Sequence, residues 1–163
     1  MELETPETLI KLLIEAGIAS DDTVFGCTDS QIANIESTFK IKLPESYKAF
    51  LKVMGVEAGD FFDEYGLFNI PSIEAIEETR KDARSFVLEY ANRDLKDSDF
   101  VFAESGRVTY LWFDTTAGPE PPIQMLDDGD AEVKTPFQSF LEFLNIVAAE
   151  QLESTAILKA DLD

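Results

Sequence analysis

The stretch from Thr28 to Gly55, TDSQIANIESTFKIKLPESYKAFLKVMG, constrains the fold more than any other part of the chain. It predicts two short amphipathic helices joined at a proline. Thr28 caps the first, and Gln31 three residues on closes a capping box. Ile32, Ile35 and Phe39 recur at spacings of three and four and share one face, while Glu36 and Lys40 fall off that stripe. Leu43-Pro44-Glu45 starts the second helix, because a first-turn residue can do without its N–H and a carboxylate there favours the helix dipole. Tyr47, Phe50, Leu51 and Met54 form its apolar face. Gly55 stands where a left-handed residue is expected to end it.

These residues carry a family resemblance. A polar cap, an Ile-x-x-Ile-Glu-x-x-Phe helix, then Leu-Pro-Glu-x-Tyr-Lys-x-Phe-Leu and a glycine resemble the signature of the SMI1/KNR4 family, also called the SUKH superfamily. Gly66-Leu67-Phe68-Asn69-Ile70 with Ile73-Glu74-Ala75-Ile76 is similar to its segment of glycine, apolar strand and helix. Tyr110-Leu111-Trp112-Phe113-Asp114 resembles its strand ending in aspartate, and Phe137 to Leu144 its closing helix. Met54-Gly55-Val56 departs from the asparagine and paired glycines often found there. The resemblance covers roughly residues 28–146, leaving 1–27 as an N-terminal helical extension and 147–163 as the end of the last helix and a frayed acidic tail. It implies a single α+β domain, a mostly antiparallel sheet of about five or six strands with helices packed on it. It also implies a binding protein. Bacterial members are typically immunity proteins that neutralise a toxin domain, often a nuclease; the alternative is a non-catalytic scaffold in cell-wall or signalling regulation, like the fungal members.

Charge narrows the partner. The chain has 33 acidic and 13 basic residues, a formal net charge of −20. Between Thr28 and Gly55, Asp29, Glu36 and Glu45 face Lys40, Lys42, Lys48 and Lys52, so the acidity lies elsewhere. Such a surface repels nucleic acids and anionic membranes and attracts a basic protein. With 163 residues, 13 phenylalanines and a hydrophobic fraction of 45%, the chain can still bury a sizeable core. The N-terminus shows Glu2 and Glu4 and no basic flank, so no signal peptide is expected, and no apolar run is long enough to span a bilayer. Cys27 alone permits no internal disulfide and suits a reducing cytoplasm; as a free cysteine it reads as a small buried residue.

Catalytic machinery is absent from the pattern. Without histidine, neither serine–histidine nor cysteine–histidine catalysis can be assembled, and no phosphate-binding glycine loop or Cys-x-x-Cys pair occurs. Among 33 carboxylates, chance pairs are expected, so none marks a hydrolase. The reading is of a non-enzyme without cofactor or metal.

Along the chain, Thr5-Pro6 caps a helix to about Ala16 with Leu9, Ile10, Leu12, Leu13 and Ile14 on its apolar side, ended by Gly17. Residues 56–66 form a loop with four acids, no base and three aromatics. Leu67–Ile70 reads as a strand, and Ile73 to about Ala91 as a helix with Ile76, Ala83, Val87 and Tyr90 inward and a mixed-charge outer face. Ser105-Gly106 joins two strands of a hairpin, and a further hairpin pairs Ile123–Leu126 with Ala131–Val133 around Asp127-Asp128-Gly129-Asp130. That acidic turn lacks the spacing and the distal glutamate of a calcium loop. Thr135-Pro136 with Gln138 reads as a capping box opening the last helix, whose Phe137, Phe140, Leu141 and Leu144 face the core, with fraying from Glu153. Aromatic rings set among carboxylates suit a basic partner. The expected contact surface is therefore Asp60, Phe61, Asp63 and Glu64 with Asp127, Asp128 and Asp130.

Overall fold

The computed structural model describes residues 2–65 and 72–162. In order, these form α1 (Pro6–Glu15), β1 (Val24–Phe25), α2 (Asp29–Phe39), α3 (Glu45–Met54), β2 (Glu57–Ala58), α4 (Ile73–Ala91), β3 (Asp99–Ser105), β4 (Thr109–Asp114), β5 (Ile123–Asp127), β6 (Lys134–Phe137) and α5 (Phe140–Ala160). All described strands pair antiparallel, in a sheet of order β3-β4-β5-β6 and a separate β1-β2 pair. The fold is α+β, with the strands divided between two sheets rather than gathered in one. The expected strand at Leu67–Ile70 lies outside the described residues.

The helical hairpin forms as its punctuation dictates. Thr28 Oγ1 accepts from Gln31 N and Gln31 Oε1 accepts from Thr28 N, completing the capping box. Pro44 is the cap residue of α3, one place before its first turn. Gly55 is a correction: its φ is −70°, so no left-handed turn ends α3. A Cβ there would lie 2.6 Å from the Leu51 carbonyl oxygen and 2.8 Å from Cys27 Sγ, so glycine serves close packing. Cys27 is buried as expected, and burial raises its thiol pKa.

Alternation along the four-stranded sheet supplies both of its faces. Phe100, Phe102, Leu111, Phe113, Ile123 and Met125 join the core built with α1, α2, α3 and α5, whereas Val101, Tyr110, Trp112 and Leu126 pack with Ala83, Phe86 and Val87 of α4. A register shift between Val101 and Ala103 lets Phe102 and Ala103 turn to the same core. The β3–β4 turn has Gly106 and Arg107 at φ 56° and 60°, the paired left-handed residues that a twisted hairpin needs. In α4, Phe86 takes the inward place expected of Tyr90, whose side is 42% exposed. In α1, the buried face narrows to Leu9, Ile10 and Leu13; Leu12 is exposed.

Three expectations about the C-terminal third fail for tertiary reasons. The strand opposite β5 is Lys134–Phe137, in register Met125↔Lys134 and Ile123↔Phe137, not Ala131–Val133. Thr135, Pro136 and Phe137 therefore belong to a strand, where Pro136 is tolerated at the sheet edge, and Ser139 is the true cap of α5, its Oγ accepting from Glu142 N at 3.1 Å. The helix then continues through Ala160 instead of fraying at Glu153, tied back where Lys159 Nζ donates to the Ala16 carbonyl at 2.6 Å. Nearer its start, Asn145 clamps Glu4, accepting from its N–H at 2.8 Å and donating to its carbonyl at 2.9 Å.

Tyr47 sits at the centre of the larger core, its ring meeting Phe113, Phe100 and Phe140 edge-on, with the Phe140 centroid 4.9 Å away. Its hydroxyl has no hydrogen-bond partner among the described residues, and burial, with a smaller contribution from Cys27, pushes its pKa well above the ordinary phenol value. An unpaired buried hydroxyl costs about 1–3 kcal/mol. Tyr47→Phe is therefore expected to raise stability by about 1 kcal/mol at neutral pH. The folded phenol ionises later than the unfolded one, so wild-type stability falls as pH rises through about 10, and the substitution removes that share of the loss. Urea midpoints at neutral and alkaline pH measure both effects; a lower neutral midpoint for the variant contradicts them.

Candidate functional site

On the face of the sheet away from α4, a groove of about 600 Å³ runs between the 60–65 turn, β5, β6 and α5. Met125, Phe137, Ile146 and Val147 contribute to its apolar lining, and Asp60, Asp63, Glu64 and Glu150 are its only charged lining residues among the described residues. Among the described residues no lysine or arginine lines it. The acids Asp60, Asp63, Glu64 and Glu150 are all exposed.

The turn that presents Asp60, Asp63 and Glu64 is held from beneath. Phe62 takes a left-handed backbone, φ 59°, unusual for a bulky side chain. Its ring stacks on Phe143 with centroids 5.5 Å apart and meets Tyr65 edge-on at 5.2 Å. Gln151 of α5 fastens the backbone at both sides, accepting from Phe62 N at 3.3 Å and donating to the Asp60 carbonyl at 2.9 Å. Gln151→Ala is expected to destabilise this turn by about 1–2 kcal/mol, read as roughly tenfold faster amide exchange at Phe62. Unchanged protection would show that the rings alone hold it.

The expected contact residues divide. Asp60, Asp63 and Glu64 come together at the groove. Phe61 does not: it is 3% exposed, its ring packed 4.5 Å from that of Phe62, so it belongs to the core and supplies no surface. Asp127 lies close enough to act on Tyr65, whose phenol pKa is raised first by burial and then by Glu64, Asp127 and Glu150; it accepts from Thr109 Oγ1 at 2.5 Å. Asp128 is exposed at the turn, with Gly129 at φ 82° supplying the bend. Asp130 pairs with Lys134 at 3.0 Å, which spends part of its charge. Glu150 and Gln151 fall within the expected last helix, before the fraying expected from Glu153, but the expected contact surface omits them. The signal was present, since Leu144, Val147, Ala148, Gln151 and Leu152 continue the helical spacing.

One pair of carboxylates has the opposed environments that acid–base chemistry uses. Asp99 and Asp114 are partners across β3 and β4. Burial raises the Asp99 pKa, only partly countered by the Lys96 N–H that its Oδ2 accepts at 2.8 Å. Burial also acts upward on Asp114, but bonds from Lys96, Thr116 and Ser98 together hold it well below the ordinary range. Asp99 is almost wholly buried at the end of the sheet, and Asp114 pairs there with Lys96. Among the described residues no group of three or more metal-ligating side chains is arranged to hold an ion, and no helix is long and apolar enough to cross a membrane.

The family model for SMI1 / KNR4 (SUKH-1) matches residues 26–146, from the residue before Cys27 through the first third of α5. The chain belongs to the SMI1/KNR4 (SUKH-1) family. No curated protein matches it. SUKH-1 proteins work through protein–protein interaction and are generally non-catalytic, and the superfamily includes immunity proteins. The groove draws on both sides of the matched span's end, because Val147, Glu150 and Gln151 lie beyond residue 146. The SUKH-1 match also leaves out α1, which nevertheless buries Leu9, Ile10 and Leu13 in the same core as α3.

Proposed function

We propose that this SUKH-1 domain is an immunity protein that binds a basic toxin domain of the nuclease kind and neutralises it by covering the surface its anionic substrate needs. One observation carries the reading: an apolar groove rimmed by Asp60, Asp63, Glu64 and Glu150, with no base among the described residues that line it, on a chain of net charge −20. A nuclease surface shaped for phosphate is basic. The acids speed encounter and select that sign of surface, while the floor accepts an apolar or long-stemmed basic side chain, whose stem packs as its head reaches a carboxylate. Asp127 and Asp128 extend the acidic field beyond the rim. The proposed action needs no chemistry, only occupancy, and takes place in the cytoplasm of the protected cell.

Reversing Asp60, Asp63 and Glu64 to lysine is expected to weaken partner binding about tenfold to a hundredfold at about 50 mM salt, and far less at about 500 mM, where exposed charges are screened. Reversing the exposed Glu74, Glu78 and Glu89 of α4 makes the same change of net charge away from the groove. Equal losses from the two triple variants would replace the groove with a global charge effect. A scaffold reading differs in outcome, since it calls for several unrelated partners.

A further inference from the structure

At the opposite end of β4 the sign of the surface inverts. A groove of about 850 Å³ beside the last turn of α2 is lined by Lys40, Lys42 and Arg80 against Glu36 and Asp97. A neighbouring groove continues it along α4, adding Lys81 and Arg84 against Glu77. Among the described lining residues, five bases thus meet three acids, in a chain where acids outnumber bases 33 to 13. Lys40 and Lys42 are exposed and have no ion pair among the described residues.

The arginines already show how they hold a carboxylate. Arg80 is fixed in place: its side chain is 16% exposed, its guanidinium stands 6.0 Å over the Phe39 ring, and its Nη2 donates to the carbonyls of Lys96 and Asp97 at 3.1 and 2.7 Å. Asp97 Oδ1 lies 2.7 Å from Arg84 Nη2 and 3.8 Å from Arg80 Nη2, yet the Asp97 side chain is 98% exposed. An exposed carboxylate in such a pair gains little, because water screens it, and an incoming carboxylate that brings its own buried contacts can replace it. Phe39 and Ile41 supply apolar lining beside the charges, and Ser98, Thr115 and Thr116 supply polar lining.

We infer that this groove binds an acidic segment of a partner protein, whose carboxylates take Lys40, Lys42 and the arginine pair now facing Asp97, and whose apolar side chains rest on Phe39 and Ile41. A peptide fits better than a polyphosphate, because the floor offers rings and aliphatic surface, and because the rest of a −20 chain repels an extended nucleic acid. The local positive field survives, since charges more than about 8 Å away are largely screened at physiological salt. This site is separate from the acid-rimmed groove and stands whether or not that groove binds a toxin. It gives one small domain two docking surfaces of opposite sign.

The test is a titration of the full chain into a labelled peptide of about twelve residues, repeating Glu-Glu-Leu, at about 50 mM salt. Saturable binding is expected, weakened at least tenfold by Lys40→Glu with Lys42→Glu, two exposed changes whose folding is checked by circular dichroism. Asp97→Asn is expected to tighten binding about threefold or more by freeing the arginines, whereas Asp128→Asn, the same charge change at the other end of β4, leaves it unaltered. No saturable binding, indifference to the lysine reversal, or equal tightening by the two asparagines would overturn the site. Displacement by about 10 mM inorganic phosphate would reassign it to small anions, and tighter capture of a uridine oligonucleotide would reassign it to RNA; either removes the peptide.

Discussion

Gly26→Ala is expected to destabilise the protein by about 3–5 kcal/mol, lowering the melting temperature by roughly 10 °C or more. Gly26 has no positive φ, and nothing in its local sequence demands glycine. Its constraint is contact: a Cβ there would lie 1.7 Å from the Lys52 carbonyl oxygen, 2.5 Å from that carbonyl carbon and 3.2 Å from Val53 N. All three are backbone of α3, so no side-chain rotation relieves the overlap. The helix must move, and Cys27 N donates to Leu51 O at 2.7 Å while Val56 N donates to Phe25 O at 2.9 Å on either side of the contact. Gly118→Ala provides the comparison. Its φ is 110°, but no atom lies within 4 Å of the added carbon, so only the conformational cost of about 1 kcal/mol applies. Thermal unfolding of the two variants decides the matter; a Gly26 variant that melts with or above the Gly118 variant contradicts the close approach.

Trp112→Ala is expected to cost about 3–5 kcal/mol, because the ring is fully buried between β4 and α4 and deleting it leaves a cavity. Its Nε1 donates to Gln124 Oε1 at 2.8 Å, and the same oxygen accepts from Arg93 Nη2 at 3.0 Å. The loss therefore combines packing with one of the two bonds that hold Gln124. Trp112→Phe keeps most of the ring volume and is expected to cost about 1–2 kcal/mol. Denaturant midpoints read by circular dichroism measure both. The groove lies on the other face of the sheet, so at a temperature where the variant remains folded its partner binding is expected to hold within about threefold. A small cost for Trp112→Ala would mean that α4 does not seal that face.

What could be read from the sequence depended on whether the cause was local. The α2–α3 hairpin was legible because Thr28, Gln31 and Pro44 act on their own few residues. Thr135-Pro136 with Gln138 imitates the same local signal, and it misleads because pairing of Lys134–Phe137 with β5, a non-local event, decides that segment. Gly55 was correctly marked as an ending and given the wrong reason, since close approach to Leu51 and Cys27 leaves no trace in sequence. At the site, the acids of the 60–64 turn were legible by composition alone. Phe61 was not, because a loop without periodicity does not reveal which ring turns inward. Glu150 and Gln151 reach the groove from the far end of the chain, and only the fold places them beside Asp60. Lys40 and Lys42 stood out as a local excess of bases, but Arg80 and Arg84 read as a solvated helix face until α4 was set against α2.

Whether the acid-rimmed groove neutralises a basic toxin is tested most directly by capture and inhibition with one tagged protein. The chain and its Asp60→Lys/Asp63→Lys/Glu64→Lys variant are each used to capture partners from the native lysate at about 50 mM and about 500 mM salt, and the activity of what is captured is assayed with each protein added back. The expected result is one basic protein with toxic, nuclease-type activity, held tightly by the wild-type chain at low salt, less at high salt, poorly by the variant, and inhibited only by the wild type. Capture and inhibition indifferent to both salt and charge reversal, or a captured partner that is itself acidic and held through the rim, would contradict it.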